Sequence, residues 1–573
     1  MEDELEPSLR PRTQIQGRIL LLTICAAGIG GTFQFGYNLS VINAPTSYIQ
    51  AFTNETWQAR TGEPLPDHLV LLMWSLIVSL YPLGGLFGAL LAGPLAITLG
   101  RKKSLLVNNI FVVSAAILFG FSRKAGSFEM IMLGRLLVGV NAGVSMNIQP
   151  MYLGESAPKE LRGAVAMSSA IFTALGIVMG QVVGLRELLG GPQAWPLLLA
   201  SSLVPGALQL ASLPLLPESP RYLLIDCGDT EACLAALRRL RGSGDLAGEL
   251  EELEEERAAC QGCRARRPWE LFQHRALRRQ VTSLVVLGSA MELCGNDSVY
   301  AYASSVFRKA GVPEAKIQYA IIGTGSCELL TAVVSTSGTM AGCAGLRFLP
   351  LQCVVIERVG RRVLLIGGYS LMTCWGSIFT VALCLQSSFP WTLYLAMACI
   401  FAFILSFGIG PAGVTGILAT ELFDQMARPA ACMVCGALMW IMLFLVGLGF
   451  PFIMGLMEPH QVLGSLLICR RPCPTTSMSL SLVSVSVGPS TLACSFLRPK
   501  ARPSKRSPRN YTDSTSPGGP RAPRGGAWRL SSRQNSSPKG VARAKASYCP
   551  VLCFLPGPWS SLPPAFLCLR TIY

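Results

Sequence analysis

The sequence predicts an all-α protein that crosses a bilayer many times, and three observations predict it. Of 573 residues, 51% are hydrophobic and 14% charged, and the mean hydropathy is +0.46. A soluble chain of this length carries roughly 25% charged residues to cover its surface. The apolar residues also fall in long runs, among them Ile19 to Ala27, Leu69 to Leu99 and Thr392 to Leu418. Basic clusters then recur between alternate runs. Crossing the ~30 Å hydrocarbon core takes about 20 apolar residues, and lipid leaves backbone groups without partners, so each span must be a helix.

Eleven spans are read in order: 19–38, 69–92, 104–121, 130–151, 164–185, 195–216, 281–305, 317–356 (interrupted), 363–385, 392–419 and 430–453. Met1 to Arg18 opens on acids, and no small-residue cleavage site follows the first apolar run. That places the amino terminus in the cytosol. Arg101, Lys102 and Lys103, then Lys159 and Arg162, then Arg358, Arg361 and Arg362, and then Arg428 lie in one set of loops. The other set holds scattered charges, so the positive-inside bias is mild. Asn54-Glu55-Thr56 forms a glycosylation acceptor in the first loop on the opposite side.

Twenty cysteines and three histidines are present. Many cysteines sit inside spans, where Cys acts as a small hydrophobe, and no disulfide framework is expected. Cys227, Cys233, Cys260 and Cys263 form a weak zinc pattern, with reduced thiols the blander reading. His68, His274 and His460 are scattered with no nucleophile or ligand spacing around them, which argues against an enzyme. No metal and no cofactor are expected.

The chain divides into a cytosolic segment 1–18, six spans over 19–216 and a charged cytosolic loop 217–280. A second set of spans covers 281–454, and a divergent tail follows over 455–573. Within the loop, Glu249 to Arg257 is polar all round and reads as a solvated helix. The two sets of spans echo each other. Gly100-Arg101-Lys102 is matched by Gly360-Arg361-Arg362, and Glu155 with Arg162 by Glu421 with Arg428. These echoes point to a duplicated six-helix unit. Arginines at helix ends can pair with glutamates on neighbouring helices and so hold one of two access states. Simple snorkelling is the alternative and suffices for Lys103.

Taken together, the motifs resemble the facilitative hexose transporters, the sugar-porter branch of the major facilitator superfamily, and within it the second class. The match runs from about 15 to 454 with one interruption. It rests on Gln34-Phe35-Gly36-Tyr37-Asn38, Ile42-Asn43-Ala44-Pro45, Gly134-Arg135 and Pro150-Met151-Tyr152. It continues through Pro217-Glu218-Ser219-Pro220-Arg221, Glu357-Arg358-Val359-Gly360-Arg361-Arg362, Gly408-Ile409-Gly410-Pro411 and Glu421-Leu422-Phe423. The resemblance implies two six-helix bundles rocking around a central site, carrying fructose or glucose down its gradient across the plasma membrane. It also implies gating roles for Arg101, Arg135, Glu155, Arg162, Glu357, Arg361, Arg362, Glu421 and Arg428.

For the sugar site the resemblance implies Gln181 in span five, Met291, Glu292 and Asp297 in span seven, and Glu328 in span eight. It adds Gly408 and Gly416 in span ten and Trp440 in span eleven. Several depart from the family pattern. Met291 and Glu292 stand in place of paired glutamines, and Asp297 and Glu328 in place of asparagines. Gly408 replaces a glutamate, and Gly416 replaces a tryptophan that lids the pocket in glucose-selective members. Acids inside spans are expensive and are read as functional by default, although Glu292 facing polar groups between helices is the competing account. Asn38 stands where proton-driven relatives carry an aspartate, which favours uniport. The three acids leave symport as the alternative.

Two further departures stand out. Thr336 to Gln352 interrupts span eight with Gly338, Gly342, Gly345, Arg347 and Pro350. Arg347 would cost about 2.5 kcal/mol or more at the bilayer centre. A twelfth span is not recognisable, and Arg498 to about Lys545 is rich in Pro, Ser, Gly and Arg, which reads as disorder. The pattern looks like an alternatively spliced product, and a non-transporting or retained protein is the second functional expectation. The partners expected are a hexose and the bilayer, with no nucleic acid and no obligate protein.

Overall fold

In the computed structural model, the described residues are 13–456, except 159–161, 243–245, 261–267, 274, 345–360, 386–388, 413–422 and 424–426. Among them every regular element is helical. Eight helical segments are long and apolar enough to cross a membrane: Ile19–Asn43, Asp67–Thr98, Arg101–Ala125, Glu129–Ser156, Trp195–Leu215, Leu365–Leu383, Thr392–Ala412 and Met433–Phe452. The described residues of the three further expected spans, 164–185, 281–305 and 317–344, are mainly helical but less uniformly apolar. The expected twelfth span and the tail lie outside the described residues.

The first span is α1 (Thr13–Gly30) and α2 (Thr32–Ser40). A short helix, α3 (Thr46–Thr61), leads to α4 (Asp67–Thr98), α5 (Arg101–Ala125) and α6 (Glu129–Ser156). Next come α7 (Arg162–Val183) and the pair α8 (Trp195–Ala200) and α9 (Leu203–Ser212). Helices α4 and α6 pack closely against each other. Gly84 and Gly88 on one helix face Gly139 and Gly143 on the other. A Cβ on Gly84 would lie 2.0 Å from the Leu136 carbonyl oxygen, and one on Gly143 would lie 2.1 Å from that of Gly85. Small residues four apart on each helix let the two backbones touch, which is how helices associate where no hydrophobic force acts between them.

The loop 217–280 folds into α10 (Thr230–Arg241), α11 (Ala247–Cys260) and α12 (Pro268–Gln273). Asp229 caps α10 by accepting from Ala232 N at 2.9 Å, and Arg238, Arg239 and Arg241 fill its last turn. The expectation of a freely solvated α11 needs correction. Leu250 and Leu253, three apart on one face, pack on Leu224, Cys233 and Leu237, while Glu249 pairs with Arg241 at 3.1 Å and Glu256 with Arg221. Cys233 packs among leucines, and burial pushes its thiol up to about 11, while Cys263 and the side chain of Cys260 lie outside the described residues. Among the described residues no group of three or more metal-ligating side chains comes together.

Span seven is not one helix. It breaks into α13 (Arg275–Leu293), α14 (Asn296–Ala301) and α15 (Ala303–Lys309). The break falls at Gly295, whose φ of +82° suits glycine and few other residues. The following helix, α16 (Glu314–Ala344), runs past Ser335, where the sequence placed the interruption, and continues through Ala344. Gly338 and Gly342 therefore sit within helix. Residues 345–360 lie outside the described residues. The remaining helices are α17 (Arg361–Cys384), α18 (Thr392–Phe407) and α19 (Arg428–Leu456), with a π-turn at Gly408–Ala412 after α18.

Candidate functional site

The polar groups inside the spans gather on α16 and on the broken span before it. Thr324 and Glu328 lie four apart and so share one face of α16. Gln181 of α7 reaches this face: its Nε2 donates to Thr324 Oγ1 at 3.5 Å, and its Oε1 lies where a side chain on Gly325 would stand. Thr331, a turn beyond Glu328, packs against Gly408, where any Cβ would meet Thr331 Oγ1 at 2.4 Å. Tyr300 of α14 sets its hydroxyl beside Glu328, with Asn296 next to it. Asn296 Nδ2 in turn donates to Asp297 Oδ1 at 3.5 Å. Glu292, on the other side of the Gly295 break, is buried near Asp297 and Tyr369. Discontinuous helices of this kind are where transporters place polar contacts at membrane depth.

Arg135 is also buried, at 1% exposure. Its Nη1 donates to the Asn38 carbonyl at 2.8 Å, and its guanidinium lies 4.6 Å over the Tyr81 ring. The Asn38 amide donates to Gln34 O at 2.9 Å and to Gln34 Oε1 at 3.1 Å. Arg135, Tyr81 and Asp297 line a narrow cavity of about 20 Å³ together with Leu39, Ala301 and Gly447. That is room for about one water. Trp440 of α19 is fully buried beside it, edge-on to Phe35 at 5.6 Å and to Tyr81 at 6.2 Å, its indole filling the space a side chain on Gly85 would need.

Charged pairs mark both ends of the spans. At one end Arg101 joins Glu155 (Nε–Oε2 3.0 Å) and Asp226 (Nη1–Oδ2 2.6 Å) and lies over Tyr222 at 4.8 Å. Glu218 accepts from Lys102 N at 2.9 Å, capping the first turn of α5, and Tyr152 Oη donates to Pro217 O at 2.6 Å. At the other end Arg186 Nη2 is 3.8 Å from Glu314, and its backbone N–H donates to Gln318 at 3.2 Å. Tyr319 Oη donates to Glu187 at 3.4 Å. Arg60 there pairs with Glu129 and donates to Gly126 O at 2.9 Å.

The family described as Sugar (and other) transporter matches residues 22–469. The chain belongs to it. Human facilitated glucose transporter member 11 of solute carrier family 2 is 94% identical over 443 residues, covering 77% of this chain and 86% of the relative. Human member 5 of the same family is 42% identical over 451 residues, covering 79% of this chain and 87% of that one. Among solved structures, the xylose transporter XylE of E. coli in a partially occluded inward-open conformation has a TM-score of 0.64 at 17% identity. That match covers 84% of this chain and 100% of XylE. The fold is that of the major facilitator superfamily, in a multi-pass membrane protein.

Against that frame, this sugar transporter brings together some expected residues and separates others. Gln181, Glu328 and Gly408 share the stripe on α16, and Glu292 and Asp297 flank the break in span seven. Met291 turns instead into an apolar cluster with Leu287, Tyr369 and Phe407. Arg101 and Glu155 pair with each other. Arg135 does not join them: it lies twenty residues before Glu155 on α6, about 30 Å away at 1.5 Å per residue. A carbonyl and a tyrosine ring hold Arg135 within the span. Asn54 lies in α3, its Oδ1 accepting from Leu65 N at 2.8 Å. Gly416, Glu357 and Glu421 lie outside the described residues, as do the side chains of Arg162, Arg361, Arg362 and Arg428. Sequence reasoning missed Tyr300, Thr324 and Asn296. The first two sit at helical spacing beside flagged acids, and that spacing was the available signal.

Proposed function

We propose that this chain carries hexoses, fructose and glucose among them, down their gradients by alternating access between units at 19–216 and 281–454. The observation that carries the reading is the buried polar stripe where α7 meets α16, with Gln181, Thr324 and Glu328 offering sugar hydroxyls both donors and acceptors. The human relative, 94% identical, is named a facilitated glucose transporter, which supports the same reading. The cavity of about 20 Å³ beside Arg135 is itself too small to hold a sugar. Asn38 offers no titratable group beside Arg135, which supports uniport. The amino terminus and the Arg101 end face the cytosol of a cell whose plasma membrane holds the functional form. Uptake of labelled fructose and glucose into proteoliposomes tests the reading. Saturable uptake of either, unaffected by a protonophore, is expected; collapse of uptake on adding the protonophore would favour symport, and no uptake of either sugar would refute hexose carriage.

A second reading is a retained, non-transporting splice-type product. It is favoured by the family match ending at residue 469, which leaves 470–573 outside it. Deleting Thr336 to Gln352 separates the two readings. If the product is retained, the Asn54 glycan of the full chain stays immature, and the deletion raises the mature fraction. A fully mature glycan on the undeleted chain would refute retention.

A further inference from the structure

We infer that the central site prefers a hexose bearing a protonated amine to its neutral counterpart, with Glu328 as the group that takes the ammonium. The inference rests on reading the α7–α16 seam as the hexose site and adds a charge selectivity to it. Three carboxyls, Glu292, Asp297 and Glu328, lie inside the spans. Asp297 faces Arg135 across the narrow cavity they both line. Glu328 has no cationic partner among the described residues, and its Oε2 is buried without a hydrogen bond. On the facing helix Gln181, 7% exposed, leaves its Oε1 buried and unpartnered as well.

Both orphaned atoms are acceptors. Gln181 Oε1 stands against Gly325, three residues before Glu328, so the two open toward the same face of α16. An ammonium group has three donors and no acceptor, whereas a hydroxyl brings one donor along with lone pairs that these two atoms cannot use. Its bond to a carboxylate is charge-assisted and roughly twice as strong as a neutral one. A buried carboxyl with no counter-charge is driven toward its neutral form, and a cationic ligand favours the carboxylate where a neutral sugar does not. The Tyr300 hydroxyl lies beside the same carboxyl.

The test uses the full chain in detergent and titrates D-glucosamine, D-glucose and 2-deoxy-D-glucose at neutral pH. D-glucosamine is expected to bind about tenfold more tightly than either neutral sugar. Glu328→Gln should lower the ratio of glucosamine to glucose affinity about tenfold, and Glu328→Asp, which keeps the charge, should retain most of it. Unfolding curves establish that each variant is folded. If a variant fails to fold, the wild-type ratio decides alone. Neutral sugars that bind as well as glucosamine would overturn this inference and leave the hexose site standing. A preference unchanged by Glu328→Gln would overturn the assignment to Glu328. If no sugar binds, both readings fall. Binding of the amine alone would support the inference and refute the neutral-hexose reading.

Discussion

Gln181 makes one long hydrogen bond to Thr324 and leaves its oxygen free, so it contributes little to holding the helices together. Gln181→Ala should therefore leave insertion intact and weaken hexose affinity about tenfold, the worth of a hydrogen bond or two. Half-saturation in a counterflow assay reads this, and an unchanged value would remove Gln181 from the site. Two cysteines a few residues apart offer a second test. Cys227 is exposed, while Cys233 is buried with its thiol pushed up to about 11 by burial. An alkylating reagent at neutral pH should label Cys227 and spare Cys233, as peptide mass spectrometry would show. At this scale the acids inside the spans were legible, because a carboxyl within an apolar run stands out against its neighbours. The packing of Arg135 was not legible. Its partners, Asn38 and Tyr81, belong to other spans, and spacing along one helix says nothing about them.

Among the elements, α4 and α6 depend on having no side chain between them. Gly88→Leu would drive a side chain into the Val140 carbonyl, 2.2 Å from the ideal Cβ. Overpacking costs about 1–3 kcal/mol where side chains give way, and here the obstacle is backbone. Loss of folded protein in detergent, read by size-exclusion elution, is expected, while Gly120→Leu on α5 faces open space and should be tolerated. Asp229→Ala removes the cap of α10 and should cost about 1 kcal/mol, read as a lower Tm. The span positions were legible in hydropathy. The break at Gly295 was not, because glycine inside an apolar run is ordinary, and only its positive φ distinguishes this one. The run through Ala344 is the converse case: glycines that argue against helix are accommodated within α16.

For the whole molecule, the Arg101 cluster ties α5, the end of α6 and the loop before α10 into one body. Arg101 and Glu155 are 11% and 9% exposed, and removing one partner of so buried a pair leaves the other uncompensated. Arg101→Ala should cost about 3 kcal/mol or more. The swap of Arg101→Glu with Glu155→Arg should recover part of this and no more, because Asp226 then faces a like charge. A thermal-unfolding series over the single and double variants measures it. The duplicated plan was legible because its motifs sit at helix ends, where charge stands out against apolar sequence. The way the spans meet was not legible, since Trp440 and its partners Phe35 and Tyr81 lie hundreds of residues apart. The placement of Trp440 has an optical consequence. An indole at 1% exposure, held in a glycine notch between aromatic edges, emits from a dry environment. Should α19 swing away from α4 as the site opens, that fluorophore gains water and its emission moves to the red, so the protein carries its own reporter of the transport cycle, one that Trp440→Phe would silence.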